Sequence, residues 1–430
     1  MKKPGFIFCA IIVSSPMIAQ KVGIGTNAPQ AGLHLISNDG FLALGTLNIG
    51  AVLPALGSGS HLIWYPRKAA FRAGYISGGN SAWDDAQIGQ YSFATTANSQ
   101  ASGTGSTAMG ALSVASGSES VAIGTQTLAS GQSAFAIGET SRATTDLAMS
   151  FGRRAYANAV ASVAIGYNVN AGYTPTAGVN AIAFGVGETM QFTVGGHYAT
   201  GSRAFAIGNN CRAVGNRAFA IGNDNAAGAD FFGAELGRYS FALGNSCNAS
   251  GIFSFAFGNN ANTNGKTGSM VLGSRVDGVS INALADHQLL AQFPGGYRFE
   301  TNTAPSLGVY LLPNGTAWNS FCDSTKKEDA LLMDDEVMLQ KLSDIDYYSW
   351  KYKDDPDPQN RHYGIMAQDF FAAFGKDALG IIGNDTLVNP IDMLGVAFSA
   401  IKALEKRTAR LEELEKENAM LKKALGKRRR

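Results

Sequence analysis

Between residues 89 and 275 the chain alternates small and bulky apolar side chains in five-residue runs, each closed by glycine. Ser133-Ala134-Phe135-Ala136-Ile137 is representative. Such alternation predicts short strands. The tripeptides Ala108-Met109-Gly110, Ala122-Ile123-Gly124, Ala136-Ile137-Gly138, Ser150-Phe151-Gly152 and Ala164-Ile165-Gly166 open a series. It continues through Ala183-Phe184-Gly185, Ala206-Ile207-Gly208, Ala220-Ile221-Gly222, Ala242-Leu243-Gly244 and Ala256-Phe257-Gly258 to Val271-Leu272-Gly273. Six of the ten glycine spacings are 14, and the long ones read as one coil plus an insertion. Ala94-Thr95-Thr96 reads as an earlier coil with threonine in the glycine position. A period of 14 is too short for a helix pair and predicts a solenoid of stacked coils. Each coil has room for two strands of about five residues. Glycine takes positive φ at one turn, and Ala-Ser-Gly or Ala-Asn makes the other. A coil this thin cannot bury its apolar face alone, so neighbouring coils and other chains must cover it.

The flanks follow other patterns. Residues 20–88 carry Trp64-Tyr65-Pro66-Arg67-Lys68 and Trp83-Asp84-Asp85, a cluster better suited to packing and capping the roll end than to binding a glycan. Residues 276–321 read as a β-rich neck, with strands near Gly295-Gly296-Tyr297-Arg298-Phe299 and Gly308-Val309-Tyr310-Leu311. The last helix has Leu404, Leu411, Asn418 and Leu425 seven apart, with Leu414 and Leu421 on the intervening seam. That spacing predicts a coiled coil over 401–430, interrupted at Arg407, with Asn418 setting register. At the other end, Lys2-Lys3, the apolar run Phe6 to Val13, and Ser14, Ser15, Pro16 and Ala19 form a secretory signal, 1–19, cut after Ala19. No later run is long enough to span a membrane as a helix.

Charge sharpens the boundary. Residues 1–321 hold 16 Lys/Arg and 13 Asp/Glu, whereas the last 109 residues hold 18 and 20. A domain therefore begins near 322. The net charge of +1 gives no global basic field for nucleic acid. With Cys9 removed in the leader, Cys211, Cys247 and Cys322 remain. An odd count in an exported chain argues against a disulfide scaffold. Cys211 and Cys247 each follow a repeat glycine by three residues and read as small, partly buried turn residues. His34, His61, His197 and His287 show no metal spacing, and no cofactor motif occurs. Asp334-Asp335 and Asp354-Asp355-Pro356-Asp357 read as solvated loops or helix starts.

The repeat Ala-Ile-Gly-x-x-x-x-Ala-Ser-Gly, with Ala129-Ser130-Gly131 at its second turn, resembles the head repeat of YadA-like trimeric autotransporter adhesins. The resemblance covers about 89–275. It implies a left-handed parallel β-roll, trimerised about its long axis. It implies surface adhesion only weakly, because such heads also serve as spacers. No membrane-barrel strands like those of the autotransporter anchor follow the roll.

Residues 322–430 carry the chemistry. Phe321-Cys322-Asp323-Ser324-Thr325-Lys326-Lys327, then Tyr348-Ser349-Trp350, then Gly364-Ile365-Met366-Ala367-Gln368, resemble the C-terminal intramolecular chaperone of endosialidase tailspikes, a self-cleaving serine peptidase family. In that family Ser-Asp-x-x-x-Lys supplies a serine nucleophile and a lysine base, and the bond before the serine is cut after trimer assembly. Asp323 and Lys327 match the motif. Cys322 stands in the serine position. A thiol ionises more readily than a hydroxyl, and its thiolate is the stronger nucleophile. Lys327 either stabilises that thiolate or acts as its base. Cys322 equally fits a small site in a domain that has lost cleavage. Ser320 and Ser324 lack the family spacing to Lys327. His362 suits a satisfied histidine at a strand start better than a third catalytic member.

The expected fold is mainly β: a trimeric left-handed parallel β-roll with a C-terminal α+β chaperone domain ending in a coiled coil. The expected divisions are 1–19, 20–88, 89–275, 276–321, 322–400 and 401–430. The expected function is a secreted or cell-surface homotrimeric fibre or adhesin, with a host or matrix surface ligand as its possible partner. Its chaperone drives assembly and can cut itself off at Phe321-Cys322. A non-cleaving spacer fibre and a phage-type tail fibre are the alternatives. An enzyme acting on other molecules is disfavoured, because residues 20–321 gather no carboxylate pair or triad.

Overall fold

The glycine-closed tripeptides lie side by side in one long parallel β-roll. The computed structural model describes residues 21–428 except 176, 189–195, 229–236, 276 and 304–306. The predicted leader with Cys9 and the final Arg429-Arg430 fall outside the described residues. Contacts divide the chain into two units, 1–297 and 298–430.

In the first unit, strands Val121–Thr125 and Phe135–Glu139 pair in parallel with Ala122 opposite Ala136 and Gly124 opposite Gly138. The same register carries the glycine column through 152, 166, 185, 208, 222, 244, 258 and 273. Insertions therefore fall between strands and leave the register intact. The Ala94 coil is in register too, opposite Ala108, and Thr96 takes the positive φ of its slot, 84°.

Alanines form the core. Ala94, Ala101, Ala108, Ala115, Ala122, Ala129, Ala136 and Ala143 recur every seventh residue and are fully buried. Each 14-residue coil is thus two similar halves. The second strand of most coils is only two residues, as at Leu128–Ala129, shorter than the spacing suggested. The reason is a left-handed residue in each half: Gln126, Ser133, Thr140, Leu147 and Arg154 all have φ near 55°. That conformation aims each N–H at the coil before it; Gln126 donates to Ala111 O at 2.9 Å and Ser133 to Ser118 O at 2.8 Å. A stacking bond offsets the cost of the backbone strain at each site.

Cys211 and Cys247 share one column with Ser113, Asn225 and His197 in the register of the short strands. Ser113 Oγ donates to Gly124 O at 2.7 Å, Cys211 Sγ to Gly222 O at 3.2 Å and Cys247 Sγ to Gly258 O at 3.3 Å. The thiols thus do a hydroxyl's work, capping a carbonyl of the next coil. Both are free, buried and two coils apart.

His197 is fully buried in the same column, and its Nδ1 accepts the N–H of Cys211 at 3.2 Å. Burial pushes its imidazole down to about 4, against a smaller upward pull from Ala206. The unfolded chain therefore binds this proton more readily. His197 stability is present above about pH 6.5 and is lost as pH falls towards about 4. The expected loss is about 3 kcal/mol. In His197→Ser, which copies Ser113, urea midpoints measured across that range should lose this part of the acid dependence. An unchanged profile would mean that His197 titrates alike in the folded and unfolded chain.

In the second unit, Asp334 caps α1 (Asp335–Ser343), accepting from the N–H groups of Glu336 and Val337. α2 is Ala367–Phe374 and α3 is Pro390–Arg428. Ile345, Phe370, Phe374 and Val396 make a small core with Met338 and Leu342. Asp335 accepts from Lys406 at 2.7 Å and from Ser399 at 2.8 Å, bonds that hold its carboxyl down to about 2. Arg407 pairs with Glu336 at 2.6 Å. The arginine that interrupts the heptad thus ties α3 to α1.

Candidate functional site

Two short strands position the predicted cleavage bond. Gly308–Leu311 and Asn319–Ser320 pair antiparallel, Tyr310 opposite Asn319 and Val309 opposite Ser320. The next residue, Phe321, sets its ring edge-on to Tyr310, with centroids 4.6 Å apart. Arg298 lies over the Tyr310 ring at 4.8 Å, and the Tyr310 hydroxyl donates to Glu300 at 3.3 Å. Phe321 is therefore seated before the chain turns.

The turn is a single 3-10 turn, Ser324–Lys326. Asp323 starts it: its carboxylate accepts from Thr325 N and Thr325 Oγ1, both at 2.9 Å. Those two bonds, the backbone one first, hold the Asp323 carboxyl below the usual carboxylate range. The Lys327 N–H closes the turn on Ser324 O at 3.2 Å. This reversal brings Lys327 Nζ to 3.0 Å from Cys322 Sγ. Of the three predicted catalytic residues, Cys322 and Lys327 touch, and Asp323 holds the loop between them. Cys322 is exposed. The pair can exchange a proton, and its thiolate would be open to attack on an acyl group.

His362 begins the strand His362–Gly364, and its ring packs against Trp350 at 4.8 Å and Tyr352 at 5.5 Å. Ser320 lies in its strand and Ser324 in the turn. A cavity of about 420 Å³ among Met338, Phe370, Phe374, Ile391 and Val396 contains none of these groups. Among the described residues no cluster of His, Cys, Asp or Glu could hold a metal. Sequence reading placed Tyr310 in a strand but missed its role as the seat of Phe321. Only strand register puts those residues together.

Residues 101–127, 129–146, 146–168, 199–225 and 236–274 match the model of the YadA head domain repeat. Residues 322–379 match the model of the chaperone of endosialidase. The chain joins YadA-type head repeats to an endosialidase-type chaperone domain. The head matches all fall within the alanine-cored roll, and the chaperone match opens on Cys322. This pairing supports an adhesin-like fibre with chaperone-assisted assembly. No curated protein matches the chain. No helix among the described residues is long and apolar enough to cross a membrane.

Proposed function

We infer that the chain is an exported homotrimeric surface fibre or adhesin whose C-terminal domain nucleates the trimer and then cuts itself off at Phe321-Cys322. The contact between Lys327 Nζ and Cys322 Sγ at 3.0 Å carries the cleavage reading. Lys327 takes the thiol proton. Cys322 Sγ attacks the carbonyl carbon of Phe321, and the C–N bond to Cys322 breaks as Lys327 returns the proton to that nitrogen. Water then hydrolyses the thioester and frees residues 322–430.

Trimer formation is supported by apolar surface that one chain leaves open. Phe205, Phe219, Phe241 and Phe255 stack along the roll at 5.9, 5.7 and 5.0 Å while remaining partly exposed. Leu411, Leu421 and Leu425 of α3 are each 61% exposed. Patches of this kind mark association surfaces. Parallel pairing across chains is slow and leaves aggregation-prone edges. A helical C-terminal trimer raises the local concentration of the three heads. Its later release traps the assembled fibre kinetically.

The test is expression of residues 20–430 on denaturing gels beside Cys322→Ala and Lys327→Ala. The wild type should release a fragment of roughly 12 kDa, a size at which a domain still folds alone, and both variants should stay whole. A trimer that stays chemically intact by mass and by N-terminal analysis would make the domain a permanent cap.

A further inference from the structure

We propose that the Phe321 acyl group, once on Cys322, also passes to Lys327 and closes a Phe321–Lys327 isopeptide bond. This rests on the acyl-transfer reading above and adds a second fate for its thioester. The only nucleophile the described contacts place beside Cys322 Sγ is Lys327 Nζ, at 3.0 Å. In the thioester the carbonyl carbon is bonded to that sulfur, so the amine stands next to the reacting atom. Intramolecular groups so placed reach effective concentrations of about 10⁵ M or more. Thioesters yield to amines more readily than to water, and the amide product is the more stable.

The surroundings hold both sides of the transfer. Asp323 and the Lys327 N–H lock the turn that presents the amine. Tyr310 and the pairing of Asn319–Ser320 hold the acyl side. The electron bookkeeping closes without a co-reactant. In the first step C–S forms and C–N to Cys322 breaks, and the thiol proton travels through Lys327 to the Cys322 nitrogen. Lys327 is then neutral. In the second step its lone pair forms C–N, the C–S bond breaks, and a proton from Nζ returns to sulfur. The product is an isomer of the starting chain. Its mass is unchanged and gels read it as uncut, yet Cys322 now has a free α-amine beside its thiol.

That new aminothiol is the handle for the test. The assembled full chain is denatured and treated with a fluorescent 2-cyanobenzothiazole, which condenses with an N-terminal cysteine. Tryptic mass spectrometry then follows Lys327. The expected result is label on the full-length band, with Lys327 resistant to trypsin and linked to the peptide ending in Phe321. Cys322→Ala and Lys327→Arg should lose it. Label confined to the released 322–430 fragment would overturn the isopeptide and leave the self-cleavage reading standing. No label on any band would overturn both.

Discussion

Gly138→Ala should destabilise the roll by about 4 kcal/mol per chain. Gly138 has φ of 126°, and a Cβ there would lie 2.0 Å from the carbonyl oxygen of Gly152 in the next coil. Neither partner can retreat, because both backbones belong to a sheet with strands about 4.8 Å apart. Backbone strain and the steric overlap therefore add. Gly295→Ala is the matched control: its Cβ meets nothing within 4 Å and its φ is not positive, so the change should stay within about 0.5 kcal/mol. Urea midpoints of the two variants check this. A Gly138→Ala chain as stable as the control would mean that the coils are not stacked in the glycine register.

Arg72→Ala should cost about as much, near 4 kcal/mol, but at one end only. The hairpin Gly59–Tyr65 with Ala70–Ile76 adds to the first coil, placing Arg72 opposite Ala94 of the core column. Its guanidinium is fully buried. It donates to Ser92 O at 3.0 Å, Ser92 Oγ at 2.8 Å and Ala101 O at 2.9 Å. Burial holds its pKa down to about 10. No carboxylate is among these partners, so the charge is held by neutral oxygens alone. Alanine leaves a cavity and removes those donors. Arg72→Met refills the space, and because it also removes a buried charge it should recover most of the loss. Coils of a solenoid depend chiefly on their neighbours. Hydrogen exchange should therefore quicken around residues 59–101 and leave 241–259 unchanged. Uniform loss of protection along the roll would show that Arg72 is not a local end plug.

The same hairpin shows why residues 20–88 were only partly legible. Trp83 is buried with its Nε1 donating to Ser99 O at 2.7 Å, and Asp85 accepts from Tyr65 at 2.6 Å. Within the aromatic and charged cluster noticed in the sequence, Tyr65, Lys68, Trp83 and Asp85 spend their polar groups internally. Arg72 had no such signal: an isolated arginine in an apolar run looks the same whether it faces water or fills a core column. His197 likewise looked like one more scattered histidine, and only the register of the short strands puts it beside Cys211.

At the candidate site, the five-residue step from Cys322 to Lys327 was visible in the chain, as was the identity of Asp323 between them. The distance between thiol and amine was not, because it depends on the tight turn that Asp323 starts and Lys327 closes. The seat of Phe321 on Tyr310 depends on an antiparallel register across eight intervening residues, which composition does not encode.

The period of 14 and the strand character are written locally, in side-chain size that repeats at fixed spacing, whereas the charge step near 322 does not coincide with the contact boundary at 297/298. Even the insertions could be counted from the glycines. The turns were read less fully. Glycine does take positive φ at Gly124 and its equivalents as far as Gly258, but Gly273 and Gly117 do not. A Cβ on Gly117 would lie 1.9 Å from Gly131 O, so glycine stands there for closeness, and the left-handed step falls two residues later, at Glu119. Local preference would not put a left-handed backbone on Glu119, Gln126 or Leu147. Stacking does, because each N–H must reach a carbonyl one coil away, and that demand exists only once the coils are packed.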